Sequence, residues 1–92
     1  MKVYIAGKVT ELNIGDVFVK FNTAERRLKD KGHTVINPLR LCSQKWAWEK
    51  CMRVCVAELV KCDAIHLLPD WAESEGAKLE YYVAQILKFK VI

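Results

Sequence analysis

The chain has 92 residues, 52% of them apolar, and a formal net charge of +4 at pH 7. This length predicts one domain over residues 1–92, and the absence of a long apolar run and of a secretory leader argues against a membrane partner and predicts a cytoplasmic location. The basic residues are scattered, which argues against a nucleic-acid partner, whereas the positive net charge favours small anionic ligands such as phosphates.

Hydrophobic patterning predicts strands and helices in strict alternation. The strands are short apolar or β-branched runs, and they are expected over residues 3–6, 33–36, 64–68 and 89–92. The helices carry apolar residues every three or four positions, and they are expected over residues 17–31, 43–61 and 74–88. Residues 8–16 lack periodicity and predict a loop. In the first helix Phe18 and Phe21 are expected to face the core, and Ser43 and Ser74 are the expected N-caps of the other two helices.

Strands that alternate with helices require a parallel sheet whose two faces are both covered by helices. We therefore predict an α/β fold, flavodoxin-like or Rossmann-like, with about four parallel strands in the order 2-1-3-4. Ligands bind such sheets at the carboxyl ends of the strands where the strand order reverses, here strands 1 and 3. This rule selects two loops as the candidate binding site, Gly7–Thr10 and Pro69–Ser74.

The two selected loops and the start of the third helix supply the candidate binding residues. The backbone N–H groups at a helix start can bind an anion, and a glycine such as Gly76 lets a ligand approach the backbone. Lys8 can add a positive charge for a phosphate. Simple capping by Ser74 and a tight turn at Gly76 are the alternative interpretations. The expected substrate-binding residues are Gly7, Lys8, Asp70, Trp71, Ser74 and Gly76.

Glu80 is the most informative residue because it lies in an otherwise apolar arc of the third helix. The other members of the arc are Gly76, Leu79, Val83, Ala84 and Leu87. A carboxylate in such an arc is rare unless it is paired or used in chemistry. Helical side chains lean toward the helix N-terminus, which points Glu80 at the predicted crevice. The alternative is a boundary glutamate paired with a lysine or a tyrosine.

The four cysteines, at positions 42, 51, 55 and 62, are expected to be reduced in a cytoplasmic protein. Their spacing matches no common zinc pattern. Cys51 and Cys55 share a helix face that a metal could use, but small buried apolar side chains are the favoured interpretation. We therefore predict no metal and no cofactor.

Four segments of the chain carry a family resemblance: Tyr4–Thr10, Gly32–Pro38, Cys62–Trp71 and Ser74–Ala84. In this order and spacing they resemble the nucleoside 2-deoxyribosyltransferase-like superfamily, and most closely its compact DUF4406 branch, common in phages and bacteria. The resemblance covers nearly the whole chain. It implies a nucleoside or nucleotide as the small-molecule ligand, and together with the small size it favours a homodimer or larger homo-oligomer.

The resemblance also implies roles for individual residues. In superfamily members a glutamate on this helix attacks C1′ of a deoxyribose and displaces the base, and the resemblance implies that Glu80 is this nucleophile. A tyrosine on the first strand near the nucleophile also recurs in the superfamily, and Tyr4 resembles it. Members that hydrolyse deoxynucleoside monophosphates carry a serine six residues earlier, here Ser74. Cys55 stands where relatives usually have an aspartate that protonates the leaving base, and Asp70 could substitute for it.

Three classes of function are consistent with these features. The first is an enzyme that cleaves or transfers an N-glycosidic bond, a hydrolase or a transferase. The second is a nucleotide-binding module without catalysis, which Cys55 and the small size favour. The third is an interaction protein that has lost the pocket and presents Trp46 and Trp48 to a partner.

Overall fold

The computed structural model describes residues 1–92. The strands are β1 (Lys2–Ala6), β2 (Thr34–Ile36), β3 (Ala64–Leu67) and β4 (Lys90–Val91). The helices are α1 (Ile14–Asp30), α2 (Trp48–Leu59) and α3 (Glu75–Ile86), with 3₁₀ turns at Pro38–Arg40 and Trp71–Glu73. None of the helices is both long and apolar enough to cross a membrane.

The four strands form one parallel sheet in the order β2-β1-β3-β4. This confirms the predicted α/β fold and strand order. At the centre of the sheet Tyr4 of β1 pairs with Ile36 of β2 and Ile65 of β3. The chain reverses its direction of progression between β1 and β3, so the loops after these two strands lie at the same edge of the sheet.

Side chains of β1 divide the core into two layers, because successive residues of a strand point to opposite faces. Val3 and Ile5 pack against α1 on one face. Tyr4 and Ala6 pack against α2 and α3 on the other face. All four side chains are fully buried. The predicted covering of both sheet faces by helices is therefore confirmed, and Tyr4 is a polar group inside an apolar layer.

Helix α1 begins earlier than the sequence pattern predicts. Asn13 is its N-cap, and its side-chain oxygen accepts the backbone N–H groups of Gly15 at 2.9 Å and Asp16 at 3.2 Å. This cap draws residues from 14 onward into the helix, so the predicted loop over 8–16 was too long. Of the two phenylalanines expected to face the core, Phe21 is fully buried, whereas Phe18 is 40% exposed and Val17 is buried in its place.

Helix α2 begins later than predicted, at Trp48, and the expected cap Ser43 takes no part in it. Ser43 instead accepts the N–H of Lys45 in a local turn, and Ala47 precedes the helix without a side-chain cap. The end of α3 also differs from the expected Lys88, which has a positive φ of 64°. A residue in this left-handed conformation cannot continue a right-handed helix.

A buried carboxylate fastens α1 to the segment that follows β2. Glu25 Oε1 accepts hydrogen bonds from Asn37 Nδ2 at 3.0 Å and Arg40 Nε at 3.1 Å. Its Oε2 accepts from Lys29 Nζ at 2.9 Å and Arg40 Nη2 at 3.1 Å. The hydrogen bonds from Arg40 are the largest cause that lowers the pKa of Glu25 to about 2, and they outweigh the opposing effect of burial. We interpret this network as structural, because both oxygens of Glu25 are occupied by hydrogen bonds from Lys29, Asn37 and Arg40.

We expect Glu25→Gln to lower the free energy of unfolding by about 1–3 kcal/mol at neutral pH, because charged donors lose their ionised partner. The stability that the ionised carboxylate supplies is complete above pH 4.5 and is lost as the pH falls toward about 2. The difference in the free energy of unfolding between variant and wild type, measured by urea unfolding, should shrink as the pH falls over that interval. Glu58→Gln, which removes an exposed pair with Lys61, should change stability by less than about 0.5 kcal/mol.

Candidate active site

Tyr4 and Glu80 meet in the layer between the sheet and α3. Tyr4 is fully buried and Glu80 is only 5% exposed. The Tyr4 hydroxyl donates a hydrogen bond to Glu80 Oε2, and this bond joins the first strand to the last helix. The structure thus brings the two expected catalytic residues together. The alternative interpretation, in which Glu80 is a boundary glutamate paired with a lysine or a tyrosine, also predicts this hydrogen bond.

The buried face of α3 is rotated from the predicted arc. Its buried residues are Gly76, Ala77, Glu80 and Ala84, whereas Leu79 is 41% and Leu87 47% exposed. The reason is steric, since glycine and alanine let the helix approach the sheet closely where leucine would hold it away. Glu80 therefore lies in the middle of the buried face, with small residues one turn before and after it.

Burial determines the protonation of this pair. It raises the pKa of Glu80 to about 7, and the hydrogen bond from Tyr4 offsets only part of that effect. Burial, and next the charge of Glu80, raises the pKa of Tyr4 well above its ordinary value. Burial likewise raises the pKa of Cys55, on the neighbouring α2, to about 11. Near neutral pH, Glu80 therefore exists in both protonated and ionised forms, while Tyr4 and Cys55 keep their protons.

Asp70 ties together the loops after β1 and β3. Its Oδ1 accepts the backbone N–H of Lys8 at 3.0 Å, and its Oδ2 accepts from Lys20 Nζ at 2.5 Å. Lys20 also donates to the Lys8 carbonyl at 2.8 Å. Burial would raise the pKa of Asp70, but the hydrogen bonds from Lys20 and Lys8 lower it overall. Sequence analysis missed Lys20, because its partners come from two distant loops and no local pattern marks it.

Gly7 and Trp71 shape the same edge of the sheet. A Cβ atom at Gly7 would lie 2.6 Å from Leu68 Cδ1, so a side chain cannot fit between the two loops. The ring of Trp71 is half-buried and packs edge-on against Tyr81, with the ring centroids 4.8 Å apart. Ser74 Oγ accepts the N–H of Ala77 at 3.1 Å, which confirms that Ser74 is the N-cap of α3.

The start of α2 covers Gly76, and this corrects the expectation that Gly76 leaves space for a ligand. A Cβ atom at Gly76 would lie 3.0 Å from Met52 Sδ and 3.7 Å from Trp48 Nε1. In this structure the glycine therefore serves close packing between α2 and α3. Helical periodicity places Met52 on the apolar face of α2 but does not predict that it covers Gly76, because periodicity does not identify the element against which a helix face packs.

Two shallow pockets open elsewhere on the surface, and neither is lined by Tyr4 or Glu80. One of about 340 Å³ lies beside the loop after β3, and its polar lining residues are Lys20, Thr23, Arg27 and Asp70. The other, of about 310 Å³, lies on the outer face of α1. Because Tyr4 is fully buried and Glu80 is only 5% exposed, a substrate would reach the pair only after local movement.

The cysteines differ from the expectation that all four are reduced. Cys42 and Cys51 form a disulfide, while Cys55 and Cys62 are free and buried. The pairing depends on the segment before α2, which folds back so that the Cα atoms of Cys42 and Cys51 are 5.5 Å apart. A bridge across this separation needs no backbone movement.

A comparison with protein families gave one match, to the family described as "Domain of unknown function (DUF4406)", over residues 1–92. A search of the curated proteins found no match.

We expect Asp70→Ala to loosen the two loops at the sheet edge, because Lys8 and Lys20 both lose their shared acceptor. Loss of about 1–2 kcal/mol of local stability should speed hydrogen exchange of the Lys8 amide by about 5–30-fold. NMR-detected exchange measures this directly. Glu73→Ala in the adjacent 3₁₀ turn is the matched control and should leave the Lys8 amide unchanged. If the Lys8 amide exchanges at the same rate in Asp70→Ala as in the wild type, Asp70 does not join the two loops.

We expect wild-type stability to fall as the pH rises from 4.5 through about 7, because the folded state holds the Glu80 proton more tightly than the unfolded state. Glu80→Gln lacks this titration, so over the same interval its free energy of unfolding should rise relative to wild type by on the order of 3 kcal/mol. Glu75→Gln, an exposed position on the same helix, should follow the wild-type curve. If the difference in the free energy of unfolding between Glu80→Gln and wild type stays constant from pH 4.5 to about 7, Glu80 does not titrate in a buried position.

Proposed function

We propose that this chain, which belongs to the DUF4406 family over its full length, cleaves or transfers the N-glycosidic bond of a deoxynucleoside or its 5′-monophosphate, with Glu80 as the nucleophile. The observation that supports this is the buried Glu80 carboxyl, hydrogen-bonded to Tyr4 beside the central strands. A buried carboxylate can stabilise an oxocarbenium-like centre and then bond to it. The proposal places the chain in the nucleoside 2-deoxyribosyltransferase-like superfamily that its sequence resembles.

The reaction proceeds in two displacements at C1′ of the sugar. Tyr4 holds Glu80 Oε2, which leaves Oε1 of the ionised carboxylate to attack C1′. The bond between C1′ and the base nitrogen breaks, its electron pair leaves with the base, and a glycosyl ester of Glu80 forms. Water or a second base then attacks C1′ and loses a proton to solvent, the bond between C1′ and Glu80 breaks, and the Glu80 carboxylate is released. A pKa of about 7 supplies ionised Glu80 at neutral pH.

Protonation of the leaving base is the weak point of this site. Asp70 is a poor proton donor, because its hydrogen bonds lower its pKa and keep it ionised. Cys55 is a weak acid, since burial raises its pKa to about 11. The leaving base therefore takes its proton from water. This favours slow turnover and bases that leave readily.

Substrate entry requires the first turn of α2 to move away from α3. Trp48 and Met52 cover Gly76, and this end of α2 has no side-chain cap to hold it. Once uncovered, the N-terminus of α3 presents backbone N–H groups near Ser74, where a 5′-phosphate would bind. Such opening motions are common in enzymes that exclude water from their reactions.

A nucleotide-binding module without catalysis is the second candidate. The position that usually carries the proton-donating aspartate holds Cys55, whose raised pKa makes it ineffective in that role. Binding by the N-terminus of α3 and the loops after β1 and β3 needs no such donor. The two candidates differ only in whether the glycosidic bond breaks.

We expect wild-type protein to release free base from a purine or pyrimidine deoxynucleoside or its 5′-monophosphate, measured by chromatography. Glu80→Gln should lower the rate by at least about 1000-fold, because it removes the nucleophile. Tyr4→Phe should lower it by up to about 100-fold, because the carboxylate loses its orienting bond. Mass spectrometry of acid-quenched wild-type enzyme should show the mass of one attached sugar that Glu80→Gln lacks.

Glu58→Gln, near the C-terminal end of α2 and away from the turn that covers Gly76, is the matched control and should retain full activity. Base release that is unchanged in Glu80→Gln would overturn the assigned nucleophile. Nucleotide binding in calorimetry without any base release would instead favour the binding module. No binding and no release would reject both candidates.

A further inference from the structure

Three sulfur atoms meet between α2 and the segment that precedes it. Cys42 Sγ lies 3.6 Å from Cys55 Sγ, and Cys51 Sγ lies 3.9 Å from Cys55 Sγ. The three sulfurs all lie within 4.8 Å of one another, and Cys42 and Cys51 are bonded. Cys55 is buried and the other two are half-buried. The disulfide thus has a free thiol directly beside both of its sulfurs.

The spacing of these sulfurs matches a tetrahedral zinc centre. Zinc–sulfur bonds are about 2.3 Å long, so the tetrahedral angle places two zinc-bound sulfurs about 3.8 Å apart. The two non-bonded separations, 3.6 and 3.9 Å, bracket that distance. Only the bonded pair is too close, and reduction lets those sulfurs separate by rotation about their side-chain bonds.

The backbone already holds the three residues in place for such a centre. Cys51 and Cys55 are one turn apart on α2, which keeps their side chains on the same face. Cys42 is placed by the folding back of its segment, with its Cα 5.5 Å from that of Cys51. Binding of an ion by all three cysteines therefore needs rotation of side chains and no refolding.

We propose that the reduced protein binds one Zn²⁺ through the thiolates of Cys42, Cys51 and Cys55, and that the Cys42–Cys51 disulfide and the bound ion exclude each other. A dithiol reductant transfers two electrons and two protons to the disulfide and becomes a disulfide itself. The three thiols then release three protons as Zn²⁺ binds, which gives a centre of net charge −1 whose fourth position is open to water. Soft thiolates favour zinc over Mg²⁺ or Ca²⁺.

Zinc binding by this cluster depends on both pH and redox state. Each thiol must lose its proton to bind the ion, so the apparent affinity for zinc rises with pH. In the reverse step a small disulfide takes two electrons from the Cys42 and Cys51 thiolates and two protons from water and becomes a dithiol. The Cys42–Cys51 bond then forms, two of the three ligands are lost and the ion is released. This site does not depend on the proposed glycosidic activity, since neither Glu80 nor Tyr4 is a ligand.

The test uses the full chain reduced with a phosphine and titrated with Co²⁺ and then Zn²⁺. We expect one Co²⁺ per chain, with the thiolate charge-transfer absorption of a tetrahedral site, and its loss when Zn²⁺ displaces the cobalt. The oxidised protein should show no such absorption. Cys42→Ser, Cys51→Ser and Cys55→Ser should each abolish it. Cys62→Ser is the matched control, because its thiol lies at the far end of α2 against the Glu58 carbonyl, and it should bind as wild type.

A measurement on wild-type protein keeps the test decisive if a buried substitution prevents folding. Zn²⁺ should protect the half-buried Cys42 and Cys51 of the reduced protein from alkylation by iodoacetamide, as read by peptide mass spectrometry. Absence of the cobalt absorption after full reduction would overturn the proposal. So would cobalt or zinc binding that persists in a folded Cys55→Ser variant, or a failure of Zn²⁺ to protect Cys42 or Cys51.

Discussion

The candidate site depends on a single hydrogen bond between Tyr4 and Glu80 inside an otherwise apolar layer. Burial removes the carboxyl from water, and one hydroxyl replaces only part of the lost hydration. The balance leaves the pKa of Glu80 at about 7. A stronger set of partners would keep the group permanently ionised, and none at all would keep it neutral. The intermediate value makes both nucleophilic and acidic chemistry accessible near neutral pH.

Comparison of two buried glutamates shows how partners decide this outcome. Glu25 and Glu80 are 6% and 5% exposed, yet the pKa of Glu25 is lowered to about 2 and that of Glu80 is raised to about 7. Glu25 is surrounded by the cations Arg40 and Lys29, which stabilise its charge. Glu80 has one neutral donor. The first carboxylate is therefore suited to hold α1 in place, and the second is suited to react.

The first turn of α2 takes part in both proposals, the access of substrate to Glu80 and the redox state of Cys42 and Cys51. Trp48 and Met52 cover the N-terminus of α3 at Gly76, and Cys51 in the same turn is tied to the preceding segment through Cys42. The proposed opening for substrate and the proposed exchange of disulfide for zinc act on the same turn. Cys55, one turn further, lies beside both the sulfur cluster and the Tyr4 hydroxyl. The two proposed sites therefore share one short stretch of helix.

The sequence alone determined the α/β class, the N-cap at Ser74 and the burial of Glu80, because each follows from hydrophobic periodicity or from contacts within a few residues. The parallel order 2-1-3-4 was predicted from the right-handed crossovers between parallel strands, and the structure confirms it. Sequence patterns could not determine the covering of Gly76 or the pairing of Cys42 with Cys51. They also missed the salt bridge between Lys20 and Asp70. These contacts join segments that are distant in the chain or folded back on one another. Only the packing of the helices on the sheet sets their separations, and no local propensity encodes that packing.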